Sequence, residues 1–162
     1  MLDYRGYGKS GGRIESEAQL LADVRAAWQA VAPGYAGKRR VVVGRSLGTG
    51  PAAALAAELQ PEQTVLISPY LSMAALAREH YAWVPAALLR YPLRTDEWLP
   101  RVKTPVRLLH GELDDLIAPD HSRRLAARVP QARVVIVPGG GHNDLQEIPA
   151  YLEAARRAMR GD

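Results

Sequence analysis

The chain has 162 residues, 48% of them apolar and 23% charged, which suits one globular domain able to bury roughly two thirds of its unfolded surface. It holds no cysteine, which excludes disulfide frameworks and thiolate metal sites, and no apolar run or leader-like N-terminus suggests a membrane span or export, so a cytoplasmic location is the expectation. The net charge of +4 comes from 21 Lys and Arg against 17 acids, scattered as short pairs such as Arg39-Arg40 and Arg123-Arg124 without interleaved aromatics, which argues against nucleic acid as a partner.

Residues 1–12, rich in Gly and Tyr, read as a loop. From Glu15 to Val31, Leu20, Leu21, Val24, Ala27, Trp28 and Val31 recur at helical spacing, and Pro33-Gly34 ends the helix they predict. Arg39 to Val43 reads as a strand, and its run of three valines suits burial on both faces. A helix follows from Leu47 to Leu59, with Pro51 tolerated in its first turn. Thr64 to Ser68 is a short apolar strand stopped by Pro69, so strand, helix and strand make a parallel crossover unit.

The rhythm breaks between Tyr70 and Pro105. Leu71 to Tyr81 and Trp83 to Tyr91 predict two short helices, punctuated by Pro85, Pro92, Pro100 and Pro105, in a segment that reads as a cap of residues 70–105 lying over the sheet. Val106 to His110 resumes the strand pattern. Asp120 to Val129 predicts a helix with Asp120 as N-cap, Arg133 to Val137 a last strand, and Ile148 to Met159 a closing helix. The fold class is therefore α/β, a mostly parallel sheet flanked by helices.

Between the first strand and its helix lies Gly44-Arg45-Ser46-Leu47-Gly48. A strand that reverses directly into a helix crowds the neighbours of the residue at its apex, and flanking glycines relieve that crowding. Such a turn lifts the Ser46 oxygen clear of the sheet and leaves the Leu47 N–H at a helix N-terminus, where developing negative charge is favoured. A lone G-x-S-x-G is a weak signal; strand before and helix after strengthen it.

Two further polar features follow later strands: Glu112, Asp114 and Asp115 after the third, and His142 after Gly139-Gly140-Gly141. In a parallel sheet all three groups lie outside the carboxyl ends of the strands, where ligands bind. Serine attack on a carbonyl needs an imidazole to take the hydroxyl proton and a carboxylate to orient that imidazole. Ser46, Asp114 and His142 are the assignment, with solvated loop carboxylates and a turn histidine as the plainer alternatives. His110 reads as strand-end packing, and His80 and His121 as surface or cap residues.

The segments Asp3 to Gly8, Gly44 to Gly48, His110 to Asp114 and Gly141 to Leu145, in that order, resemble the α/β-hydrolase family, in particular its esterase-like serine-hydrolase branch. The resemblance implies Ser46 as nucleophile, Asp114 rather than Asp115 as acid, His142 as base and the Leu47 N–H as an oxyanion donor. It implies no metal or organic cofactor, and a small-molecule acyl substrate. Compared with the family pattern, the chain begins at the end of a fourth strand. The expectation is a single domain over 1–162 that lacks its first strands and the loop carrying a second oxyanion donor. That would leave the Val41 to Val43 strand with an unpaired edge, a possible site of self-association.

The function implied is cleavage of a carboxylic ester or thioester through an acyl-enzyme. The alternatives are a truncated, weakly active or inactive fragment serving as a binding or assembly module, and a serine aminopeptidase-like peptidase. Tyr70, Leu71, Met73, Tyr81, Trp83 and Leu88 are candidates to wall an apolar acyl pocket, with ordinary packing as the alternative. Arg78, Arg90 and Arg94 could favour an anionic substrate.

Overall fold

Four parallel strands, β1 (Val41–Arg45), β2 (Gln63–Ile67), β3 (Val106–Gly111) and β4 (Ala132–Val137), form one sheet in the order β1-β2-β3-β4 in the computed structural model, which describes residues 3–81, 83 and 89–162. The registers run Val41 opposite Gln63, Thr64 opposite Val106, and Val106 opposite Ala132, so β1 and β2 end level with each other, as do β3 and β4, which run two residues further. Expected from Arg39 to Val43, the first strand starts two residues later, with the apolar run at Val41, and ends two residues later, at Arg45. Arg39 and Arg40 are spent on other partners: Arg40 pairs with Glu62 at 3.1 Å, and Arg39 donates to the Met159 carbonyl.

Among the described residues six α-helices accompany the sheet: α1 (Glu17–Val31), α2 (Thr49–Leu59), α3 (Met73–His80), α4 (Thr95–Trp98), α5 (Asp120–Ala126) and α6 (Pro149–Arg160). Their ends follow local chemistry. Ser16 caps α1 by accepting from Gln19 N–H, while the Gln19 side chain accepts from Glu15 N–H, a capping-box-like exchange. Ser72 caps α3 through Ala75 N–H, and Gly161, at φ 94°, ends α6 in the left-handed conformation that glycine adopts freely. Asp120 is the first residue inside α5 rather than its cap, because Pro119 already has helical backbone angles, and α5 stops at Ala126 instead of Val129. The second cap helix expected from Trp83 to Tyr91 falls largely outside the described residues.

Two cores sandwich the sheet. Val42, Leu66 and Leu108 point to one face, where Ala52, Ala53 and Ala56 of α2, Val24 of α1, and Leu125 of α5 pack on them. Val65, Ile67, Leu109 and Val137 point to the other, under Ala155 and Ala158 of α6. Strands buried on both faces carry few charges, and β2, buried throughout, and β3, buried but for Arg107, are of this kind. The expectation fails for β1: Val42 and Gly44 are buried, but Val43 is 45% exposed. The cause is coverage, since α2 packs on β1 whereas α6 packs on β2, β3 and β4. β1 is also an edge strand of the described sheet.

A third cluster lies beside the carboxyl end of the sheet. Leu20, Tyr70, Leu93 and Ile117 are buried together, with Tyr4, Ile14 and Met73 packed against them. It ties the N-terminal loop, α1 and the segment after β2 to the turn that carries Ser46.

Candidate active site

Ser46 follows β1 directly and has φ 50°, a left-handed conformation that costs a non-glycine residue about 1–2 kcal/mol. Such strain persists only where the surroundings enforce it. A Cβ on Gly44 would lie 2.6 Å from Ala52 Cβ and 2.6 Å from the Gly48 carbonyl oxygen, so only glycine lets α2 sit this close to β1. Gly48 is different: its Cβ would meet only the Tyr4 hydroxyl, at 3.4 Å, an ordinary contact. Of the two glycines flanking the serine, one is therefore required by packing.

The turn is also held from its carbonyl side. Thr49 Oγ1 donates to the Ser46 carbonyl at 2.7 Å, and the fully buried Tyr70 hydroxyl donates to the Leu47 carbonyl at 3.0 Å. Burial pushes the Tyr70 phenol pKa up, so it stays a donor. Leu47, early in the short helical turn Ser46–Gly48, has an N–H with no intrahelical acceptor.

The loop after β4 brings His142 to the serine. His142 Nε2 is 3.0 Å from Ser46 Oγ, and His142 Nδ1 is 2.8 Å from Asp114 Oδ2. Arg45 Nη2 donates to the His142 carbonyl at 2.8 Å, so the residue before the serine clamps the histidine's own backbone. The loop after β3 supplies Asp114, whose other oxygen accepts from Ile117 N–H at 2.8 Å and Leu116 N–H at 3.2 Å. Burial pushes the Asp114 carboxyl up, but hydrogen bonds from His110, Ile117 N–H and His142 outweigh it and hold the pKa below the usual carboxylate range.

The neighbouring carboxylates are accounted for otherwise. Asp115 is exposed, Glu112 accepts from Gly139 N–H at 3.0 Å, and Asp120 faces Arg124 at 3.7 Å. Two expectations need correction. His121 is not a surface residue: it is 1% exposed, its Nδ1 accepts from Leu71 N–H at 3.1 Å and its Nε2 meets Glu79 at 2.9 Å, tethering α3 to α5. His110 does more than pack. It is fully buried, with Nδ1 2.7 Å from Ser122 Oγ and Nε2 2.7 Å from the Ile117 carbonyl.

The suggested acyl pocket is corrected in part. Tyr70 and Leu71 are buried core residues, whereas Tyr81 and Trp83 are 59% and 83% exposed; Leu88 lies outside the described residues. Arg94 is taken up by Asp96 and Glu97, each at 3.0 Å, and Arg90 lines, with Arg13, Ile14 and Glu15, a surface cavity of about 380 Å³ that the serine does not border. Among the described residues no cluster of His, Asp or Glu has the makings of a metal site.

Residues 1–95 match the model of the family Hydrolase_4, described as serine aminopeptidase, S33. The chain belongs to this family of α/β hydrolases. It is 39% identical over 167 residues to an uncharacterized protein from Mycobacterium tuberculosis, covering 98% of this chain and 58% of that one. It is also 32% identical over 162 residues to alpha/beta hydrolase domain-containing protein 17C from Homo sapiens, covering 96% of this chain and 47% of the relative. The chain thus spans about half the length of the curated relatives it matches. An esterase from Pyrococcus furiosus shares the fold, with a TM-score of 0.71, 21% identity, and coverage of 97% of this chain and 68% of that one. The parallel sheet flanked by helices is the α/β-hydrolase arrangement. No described helix is long and apolar enough to cross a membrane.

Proposed function

We propose that this chain carries the acyl-transfer centre of a serine hydrolase that cleaves a carboxylic ester or thioester, with Ser46 as nucleophile, His142 as general base and acid, and Asp114 as the carboxylate that orients His142. The observation that carries the reading is the unbroken hydrogen-bonded line from Asp114 Oδ2 to His142 Nδ1, at 2.8 Å, and from His142 Nε2 to Ser46 Oγ, at 3.0 Å.

In this reading Ser46 Oγ forms a bond to the substrate carbonyl carbon while its proton passes to His142 Nε2. The carbonyl oxygen gains the negative charge and accepts from the Leu47 N–H. Collapse breaks the bond to the leaving alcohol or thiol, which takes the proton from His142, and leaves an acyl-Ser46 ester. Water then repeats the sequence: His142 takes its proton, the hydroxide oxygen attacks, and Ser46 is regenerated. Asp114 stays ionised throughout and compensates the positive imidazolium. The acid's hydrogen-bond donors support that role, because they keep the carboxylate charged in a buried site.

The test is turnover of activated esters and thioesters by the native chain and by Ser46→Ala. The native chain is expected to hydrolyse them, and the variant to lose about 10⁴-fold or more in kcat. Equal rates for the two proteins would remove Ser46 from the chemistry. The family description favours a second reading, release of N-terminal residues from peptides, through the same acyl-enzyme with an amine as leaving group. Aminoacyl anilides assayed beside the esters separate the two: preference for the anilides selects the peptidase.

A further inference from the structure

Behind the acid of the site lies a second histidine for which the acyl-transfer chemistry has no use. His110 ends β3, is fully buried, and therefore needs partners for both ring nitrogens. Its Nε2 lies 2.7 Å from the Ile117 carbonyl oxygen, which can only accept, so Nε2 carries a proton. Its Nδ1 lies 2.7 Å from the hydroxyl of Ser122, also fully buried, on α5. A serine hydroxyl can donate, and with the proton on Nε2 the free pair on Nδ1 is its acceptor. The Ile117 carbonyl thus sets the tautomer, and Ser122 supplies the donor that this tautomer needs at Nδ1.

That choice matters because of what else Nε2 faces. Asp114 Oδ2 is 3.4 Å away, and it is the oxygen that His142 Nδ1 approaches at 2.8 Å. The shorter contact to Ile117 is the main bond, and the longer one to Asp114 is a weaker second branch of the same N–H. In the opposite tautomer, an Nε2 lone pair would face both the Ile117 carbonyl and the Asp114 carboxylate. Three acceptors would then converge with no His110 proton between them, in a buried site where the repulsion is poorly screened.

We infer that Ser122 and His110 are positioning residues for the acid: the Ser122 hydroxyl donates to Nδ1 and holds the buried His110 ring in place, the Ile117 carbonyl keeps the ring proton on Nε2, and that N–H, with the Ile117 and Leu116 N–H groups on the other oxygen, fixes Asp114 so that Oδ2 presents to His142. The order of donation runs from Ser122 to His110, from His110 to Ile117 and Asp114, and from His142 to Asp114. The inference rests on the assignment of Asp114 and His142 as a working pair. The remaining ionisable group of this neighbourhood, His121, adjoins Ser122 in α5 but turns to Leu71 and Glu79.

The test is a nitrogen-15 correlation spectrum of the histidine rings in the native chain, Ser122→Ala and Ser122→Thr, with thermal melting of each and ester kinetics beside it. The native chain is expected to show His110 with its proton on Nε2. Ser122→Ala, which leaves the buried Nδ1 without its donor, is expected to keep the proton on Nε2 but to shift the Nδ1 signal of His110 and the ring signals of His142, and to lower kcat roughly tenfold, the scale of one lost hydrogen bond, with KM unchanged. Ser122→Thr, which keeps the hydroxyl, should restore the native pattern. A native His110 protonated only on Nδ1, or His142 signals that Ser122→Ala leaves in place, would overturn the inference. The spectra are read without turnover, so they decide the positioning role even in a chain that leaves esters intact, a result that would count against the hydrolase reading alone.

Discussion

Gly111 and Gly140 interlock the two loops that carry Asp114 and His142. A Cβ on Gly111 would collide with the Gly140 carbonyl and lie 2.7 Å from its carbon, and the same loop contact is sealed by the hydrogen bond from Leu113 N–H to the Gly140 oxygen, at 2.7 Å. The Asp114 to His142 distance is therefore set by backbone packing. Gly111→Ala must push one loop away from the other. It is expected to destabilise the chain by about 1–3 kcal/mol and to reduce ester turnover more than its effect on folding explains. Urea unfolding and kcat measured on the same preparation check both parts; an alanine variant of native stability and native rate would remove the interlock from the account.

Tyr70 supports the serine turn from beneath. Its hydroxyl donates to the Leu47 carbonyl at 3.0 Å, and a Cβ on Gly50 would lie 2.5 Å from that same hydroxyl. Tyr70→Phe keeps the ring and removes the bond, so a loss of about 1 kcal/mol in stability is expected, with a several-fold fall in kcat as the Leu47 N–H shifts. Steady-state kinetics on one ester would show the fall in kcat rather than in KM.

Much of this arrangement was legible in the chain. The strand, turn and helix around Ser46, and the order Ser46, Asp114, His142 after β1, β3 and β4, follow from apolar runs and from where polar residues interrupt them. What was hidden depends on distance across the fold. Nothing local distinguishes Val43 from Val42; only the placement of α6 over β2, β3 and β4 exposes one and not the other. His121 has the local surroundings of a surface helix residue, Asp120 before it and Arg123-Arg124 after it. Its burial comes from Leu71 and Glu79, some 40–50 residues earlier in the chain. Ser122 carried no signal beyond its position beside that histidine, and its partner His110 is visible only once β3 and α5 are packed.

The His121 tether leads to a direct expectation for the segment over the sheet. Leu71 N–H is buried and has the His121 ring as its acceptor, so His121→Leu strands that donor at a cost of about 1–3 kcal/mol. Glu79→Gln leaves the Leu71 bond intact and weakens only the outer contact, and it should cost less. Amide hydrogen exchange along residues 71–80 would rank the two variants; equal protection in both would show that the tether does not hold α3.

Acid should weaken the fold through Asp114. Burial acts to raise its pKa, but the donors around it hold the folded value below the ordinary carboxylate value of about 3.9, so its stabilisation is complete above that pH and is lost as pH falls toward the folded value. Glu62 is also pulled down, to about 2, first by its side-chain bond with Arg40 and then by the Arg40 N–H, but it is solvent-exposed and the pair is screened. Thermal melting from neutral pH downward should show a loss of stability below about pH 4 that is flattened in Asp114→Asn and nearly preserved in Glu62→Gln. The reverse ranking would mean that the surface pair carries the acid sensitivity.

If the strained turn at Ser46 and the His142 to Asp114 bond make an activated nucleophile, Ser46 reacts with a fluorophosphonate probe, and intact mass after incubation shows it most directly. One adduct per native chain is expected and none on Ser46→Ala, with a slowed rate of labelling in Asp114→Asn. A native chain, shown to be folded, that takes up no adduct, or a Ser46→Ala variant labelled as fast as the native chain, would contradict that activation.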